Sequence, residues 1–421
     1  MRLRLNASRT RSLKLCLALA VLSALALPIV ALIGAVSSLR ADDRVTIRGN
    51  YYREPSTRVL APVVTVEVDA PDERLTVEGQ YLLDVVTSAS IASGAAAVTG
   101  GDALFTEMRH EGTLRLRSKI KEWAFGGEFR YSTESDYISR QFGANVTRAF
   151  LNRSVRLGLV YKGVFSSVMV IRPSFRDTVP WISPSDPNGP EGTNLLQTHY
   201  IKLAYGHDLH RTVTVGVQLE GVFSRGPHEN PYRRVNGSEF QAFPFTLNRF
   251  APNLYFRWAL PKVNWIALEG RYRFYFDDWK VRSHTFDTRL HFRLARHLLI
   301  RLRYQYYTQT AAFFALPAAE QPYPMDAIYK TSAPQLQAHF HHTPGIMVMF
   351  ELEPLARVRG LGWLSGAWIQ ATYNHILTLP RSGNCLDYTF PYSLCRVNEA
   401  GQIESEYAGA RNGSLALSIP F

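Results

Sequence analysis

Apolar and polar residues alternate with a period of two through most of the chain. Strands do this when one face meets an apolar medium and the other a polar one. From Ala267 to Asp277, Leu268, Tyr272, Phe274 and Phe276 share one face with Gly270. Glu269, Arg271, Arg273, Tyr275 and Asp277 share the other. Phe286, Leu290, Phe292 and Leu294 then alternate with Asp287, Arg289, His291 and Arg293. Leu298, Ile300, Leu302, Tyr304 and Tyr306 alternate with Arg301, Arg303, Gln305 and Tyr307. Earlier, Val213, Val215, Val217, Leu219 and Phe223 alternate with Thr212, Thr214, Gln218 and Glu220.

A soluble β-sandwich alternates too, and three features separate it from a membrane barrel. Charges occupy successive polar positions on neighbouring strands, which suits a wet lumen. The segments run about ten residues or more, the span of a tilted transmembrane strand. Connections alternate between tight and long, as in barrels with short periplasmic turns and long external loops. Tight turns are expected at 69–73, 118–122, 151–153, 208–210, 261–264 and 295–296, and long stretches at 88–103, 173–196, 225–247, 310–333 and 377–410. The expected fold is an all-β, transmembrane antiparallel barrel of about sixteen strands. Fourteen is the alternative, because 155–172 and 334–354 parse poorly.

Aromatic residues make up 12% of the chain, and Trp123, Trp258, Trp265, Trp279 and Trp363 fall near expected strand ends, where interfacial girdles sit. The last strand is the most specific local feature. Leu415, Leu417 and Ile419 alternate with Ser414, Ala416 and Ser418, and the sequence ends on Phe421. This is the form of a strand read by barrel-assembly machinery, with Phe421 as the assembly signal.

The first residues have another character. Arg2, Arg4, Arg9, Arg11 and Lys14 precede an apolar run from Leu15 to Val36, and small residues follow. That order is a secretory signal over 1–37, with cleavage as late as Ala41, leaving 42–421 as one barrel domain in the bacterial outer membrane. The run exceeds the usual ~7–15 apolar residues, so an uncleaved anchor is the alternative. The leader holds five of the twelve surplus positive charges. The remaining Arg and Lys are spread along strands, so no nucleic-acid partner is expected. The expected partners are membrane lipid, the assembly machinery and small solutes. The sequence carries no marker of oligomeric state and no cofactor is expected. Cys385 and Cys395 are a candidate disulfide in a polar late segment, with two free thiols as the alternative.

Two stretches are distinctive. Tyr272-Arg273-Phe274-Tyr275-Phe276-Asp277-Asp278-Trp279 leads into Ser283-His284-Thr285, and Arg303-Tyr304-Gln305-Tyr306-Tyr307-Thr308-Gln309 continues to Ala312. With Asn230-Pro231-Tyr232-Arg233 and Glu134-Ser135-Asp136-Tyr137, they resemble a bacterial family known only as a domain of unknown function, held to be outer-membrane barrels. The resemblance is densest from about 200 to 312. It implies the barrel and no activity.

The candidate chemistry is sparse. Asp277, Asp278, Trp279 and His284 flank an expected external turn and could bind calcium, arrange a hydrolytic site, or form a rim salt-bridged to Arg273 and Arg282. Ser283 and His284 are adjacent, so on a strand they face opposite sides. His339 and His341 would share a face, beside His342, but no third metal ligand is identifiable. There is no G-x-S-x-G, phosphate loop or H-E-x-x-H, and no enzymatic activity is expected. Lys202, Arg257, Arg271, Arg273, Arg289, Arg293, Arg301 and Arg303 fall on expected inward positions, with Glu220, Glu269 and Asp287. They are either a self-neutralising ladder or a basic pore wall that favours anions. The function expected is a porin-like passive channel for small, anionic solutes. A closed structural or surface-binding barrel and a barrel-embedded enzyme are the alternatives.

Overall fold

The computed structural model describes residues 43–54, 57–70, 74–88, 105–134, 137–168, 195–229, 234–236, 239–263, 265–316, 322–380, 395–397, 403–405 and 408–421. The leader and Cys385 lie outside the described residues, as does the side chain of Cys395, so the signal peptide and the disulfide do too.

The strands are β1 (Arg44–Arg53), β2 (Thr57–Asp69), β3 (Leu75–Ser88), β4 (Phe105–Ile120), β5 (Trp123–Thr133), β6 (Tyr137–Phe150), β7 (Val155–Val168) and β8 (Leu195–His210). They continue as β9 (Val213–Arg225), β10 (Thr246–Ala259), β11 (Ile266–Asp277), β12 (Arg282–Ala295), β13 (Leu298–Gln309), β14 (His339–Glu351), β15 (Trp368–Pro380) and β16 (Ala408–Pro420). Each pairs antiparallel with its neighbours, and β16 returns to β1, with Arg44 opposite Pro420 and Arg53 opposite Arg411. The sixteen-stranded antiparallel barrel is therefore closed. Closure satisfies every edge, which an open sheet in lipid could not do.

The period-two pattern maps onto the wall as read. The outer face carries Phe142, Leu203, Leu219, Leu254, Phe286 and Leu415, all largely exposed. An apolar surface of this extent, wrapped around a closed barrel, is suited to lipid and not to water. The inner face carries the charges. In β16, Leu415 is exposed outward while Ala416 and Ser418 are buried inward, and Phe421 N–H donates to Asp43 O at 2.9 Å.

The connections mostly keep the expected asymmetry. Lys121 adopts a positive φ of 55° in the tight β4–β5 turn. The β8–β9 turn lies at 211–212, later than the expected 208–210, because β8 bulges between Asp208 and His210. Arg156 holds Asp208 there through two hydrogen bonds of 2.8 Å. One connection departs from expectation. Residues 352–367, at the tight-turn end, form a long segment with a helical turn (Glu353–Ala356) and a 3-10 turn (Gly362–Leu364). Leu352 N–H bonds Ala367 O at 2.8 Å, and Gly360 and Gly366 supply positive φ. Two short hairpins outside the barrel pair Arg234–Val235 with Glu239–Phe240 and Cys395–Val397 with Ile403–Ser405.

Candidate functional site

The lumen wall of β10–β13 is built from the inward residues of the alternating segments. Across the ladder Arg257 stands opposite Glu269, Glu269 opposite Arg289, and Arg289 opposite Arg303. Glu269 is only 5% exposed. Its carboxylate lies 2.7 Å from Arg271, 3.2 Å from Arg289 and 3.4 Å from Arg257, with His291 at 3.8 Å. Asp287 takes Arg289 at 2.9 Å and Arg303 at 3.0 Å. Arg273 reaches Glu220 at 3.5 Å.

These contacts leave positive charge over. On β10–β13 the inward cations are Arg249, Arg257, Arg271, Arg273, Arg289, Arg293, Arg301 and Arg303, eight against the carboxylates of Glu269, Asp277 and Asp287, while Lys202 stands opposite Glu220 on the adjoining β8 and β9. Arg301 stands opposite His291, and its buried Nε has no hydrogen-bond partner among the described residues. The Arg257 side chain is 62% exposed although it points into the barrel. Side chains at that position therefore do not fill the lumen, in keeping with the width of sixteen-stranded barrels.

The opposite wall differs, and sequence reasoning missed it. In a ring of sixteen strands, β3–β6 stand across from β11–β14. There Glu78 pairs with Arg115 and, at 2.7 Å, with Arg117, which also reaches Glu67 at 2.9 Å. Glu128 takes Arg115 at 2.8 Å and Lys162 at 2.9 Å. Asp84 pairs with Arg109, and Glu111 with Arg130 at 3.5 Å. Acid and base are matched on this side. A solute in the lumen therefore meets a near-neutral wall facing a basic one. The available signal was the period-two charge pattern of Arg109, Glu111, Arg115 and Arg117 in β4.

At the long-loop end, described residues of the segments after β9, β11 and β13 weld into a small apolar core. Leu247, Trp279, Val281, Ala312, Phe314 and Ala315 are buried, with Phe243, Tyr275, Ala311 and Leu336 against them. Trp279 Nε1–H donates to Thr246 O at 2.9 Å, and inward Gln309 donates to Gln335 O and Gln337 O, both at 2.8 Å. Leu247, Tyr275 and Gln309 are lumen-side positions, so this core leans on the inner wall of β10–β14. Trp279 is thus a core residue and not a girdle residue, whereas Trp123, Trp258, Trp265 and Trp363 are exposed.

The four rim residues do not converge. Asp277 accepts from Tyr275 Oη at 2.6 Å and Val281 N at 2.8 Å. Asp278 accepts from Asn248 N and Nδ2 at 3.0 and 2.9 Å. His284 faces outward beside Tyr272 Oη at 2.8 Å, while buried Ser283 faces inward. Neither aspartate pairs with Arg273 or Arg282 among the described residues. His339 and His341 do share the inner face. His341 stacks on Tyr307 at 4.6 Å, His339 Nδ1 lies 2.9 Å from Gln337 O, and His342 faces outward. No group of three or more His, Cys, Asp or Glu able to hold a metal occurs among the described residues.

His228, in the loop after β9, gives the loop core a pH response. Burial first, then Arg249, pushes its pKa down to about 4, with Asp278 opposing. Its ring stands edge-on to Trp279 at 5.5 Å, and its buried Nε2 has no hydrogen-bond partner among the described residues. Because the folded pKa lies below the unfolded value, the stability it contributes is complete above about pH 6.5 and is lost as pH falls toward 4. Hydrogen exchange in 310–316 and 322–338, taken relative to the intrinsic amide rate, should therefore accelerate over that window, and His228→Phe should remove the acceleration. Equal acceleration in wild type and variant would contradict this assignment.

None of the curated proteins matches the chain in sequence. Among solved structures, a bacterial polysaccharide outer membrane secretin aligns at 5% identity and TM-score 0.48, over 91% of this chain and 100% of that one. CdiB from Acinetobacter baumannii aligns at 7% and 0.46, over 90% and 60%. OccK2 from Pseudomonas aeruginosa, solved in complex with glucuronate, aligns at 8% and 0.40, over 89% and 96%. The segment that builds the basic wall and much of the loop core, residues 247–336, matches the family described as a protein of unknown function, DUF3570.

Proposed function

We propose that this chain is an outer-membrane channel that passes small anionic solutes passively. The observation that carries the reading is the imbalance of the β10–β13 wall, where eight lumenal cations face three carboxylates and Arg301 has no acidic partner among the described residues. Charged rings at a pore wall set ion selectivity, and the matched wall across the lumen does not cancel this one. Ser283 and His284 lie on opposite faces, so they cannot serve each other as nucleophile and base. The loop core would restrict one side of the mouth.

Proteoliposome swelling tests this. Vesicles bearing the folded protein should swell faster in gluconate than in glucosamine, solutes of similar size and opposite charge, by about three- to fivefold at low salt. No swelling in either would point to the closed structural barrel. Equal rates would remove the anion preference.

A further inference from the structure

The outer surface carries a feature that the lumen does not explain. On the seam that closes the barrel, Arg58 stands opposite Arg53, Arg53 opposite Arg411, and Arg411 opposite His375. All four lie on the outward face. Arg53 and Arg58 alternate with the lumen-facing positions and share the face of Tyr51 and Leu60. Arg411 shares the face of Leu415. Like charges directly opposite one another on neighbouring strands repel. None of the three arginines has an ion-pair partner among the described residues. The nearby Glu54 accepts instead from the hydroxyl of Tyr52, a lumen-side residue, at 3.0 Å.

The row also sits at a particular height. Arg53 ends β1, Arg58 is the second residue of β2, and Arg411 is the fourth of β16. All are at the long-loop end, with Tyr51, Leu60 and Leu415 below them on the apolar band. Headgroups lie at that level and acyl chains below it. Three interstrand steps place the outer members roughly 14 Å apart.

His375 belongs to a wider pattern. Its Nδ1 lies 3.5 Å from Tyr373 Oη, and His110, His199, His284 and His342 each meet a tyrosine hydroxyl at 2.6–2.9 Å on the outer face. Each histidine lies two to five residues from the long-loop end of its strand. With Nδ1 engaged, Nε2 is the pole left to meet a headgroup. At the seam three arginines on adjoining strands stand beside one of these pairs. From the row of guanidiniums, its unpaired state and its position above an apolar band, we infer that Arg53, Arg58, Arg411 and His375 form a binding site for the phosphate of a lipid headgroup. Guanidinium groups match phosphate oxygens in fork geometry, and the acyl chains would lie on Tyr51, Leu60 and Leu415.

The test is native mass spectrometry of the folded, heat-modifiable protein with dioleoylphosphatidylglycerol or its phosphate-free counterpart, dioleoylglycerol. Wild type should retain phosphatidylglycerol and not dioleoylglycerol. Arg53→Gln/Arg58→Gln/Arg411→Gln should weaken phosphatidylglycerol retention at least tenfold, while the three lysine replacements should keep most of it. If the triple variant does not fold, Arg411→Gln alone should still weaken retention, and wild-type retention should fall as salt rises from 50 to 500 mM. Equal retention of both lipids by wild type, or undiminished retention by the folded glutamine variants, would overturn the site. A changed oligomeric state with unchanged lipid retention would also overturn it, because the row would then hold a second copy of the chain.

Discussion

Replacing Arg257, Arg271 and Arg301 together by glutamine should cut anion permeability by about three- to fivefold, and the anion-to-cation ratio by more because cation permeability rises at the same time. The size follows from Coulomb's law. A unit charge ~7 Å from an ion in water is worth about 0.6 kcal/mol, and 0.1 M salt roughly halves it. Three such charges multiply to the stated factor. These arginines are chosen because their loss leaves Glu269 its contact with Arg289 and leaves Asp287 both partners. The barrel should therefore assemble normally, with unchanged heat-modifiable migration. The matched control removes Arg115 and Glu78 together from the opposite wall, which takes away no net charge, and should move the ratio by less than about twofold. A triple variant with wild-type selectivity would mean that the wall neutralises itself and filters nothing.

Glu269→Gln should produce the largest loss of stability among single lumen substitutions, about 2–3 kcal/mol. Its carboxylate is nearly buried and anchors Arg257, Arg271 and Arg289. The amide would leave these cations facing one another. Unfolding from detergent by urea, followed by loss of heat-modifiable mobility, measures the effect. Adding Arg271→Gln should restore part of the loss, because one repelling charge goes with it. Glu67→Gln is the contrast: its partner Arg117 also holds Glu78, and its side chain is 37% exposed, so the cost should stay below about 1 kcal/mol. Equal costs at the two positions would show that the Glu269 cluster contributes no more than a surface pair.

The barrel was legible because its two faces meet different solvents, and a period of two records that directly. Inward and outward sides of β11–β13 could be read residue by residue, since charges and aromatics alternate there without a break. β7 was hard to parse because Val160 and Val164 stand on the lumen side, and β14 because Pro344 lies within it and Met347 and Met349 face inward. The resemblance was expected to be densest over about 200–312, and the matched family segment is 247–336. What the sequence did not reveal depends on contacts between distant segments. Trp279 looked like a girdle residue because it follows a strand, yet it packs against Phe314 and Phe243, which come from other loops. The partners of Asp277 and Asp278 were equally invisible. Which wall faces which follows only from ring closure, so the contrast between the matched wall and the basic one could not be read strand by strand.

Single-channel recording of the purified, folded protein in a planar bilayer under a tenfold potassium chloride gradient addresses the central claim most directly. Steady conductance steps are expected, with a reversal potential on the chloride side that moves toward zero in the Arg257, Arg271 and Arg301 triple variant. Folded protein that shows no conductance, or a reversal potential on the potassium side, would contradict the account.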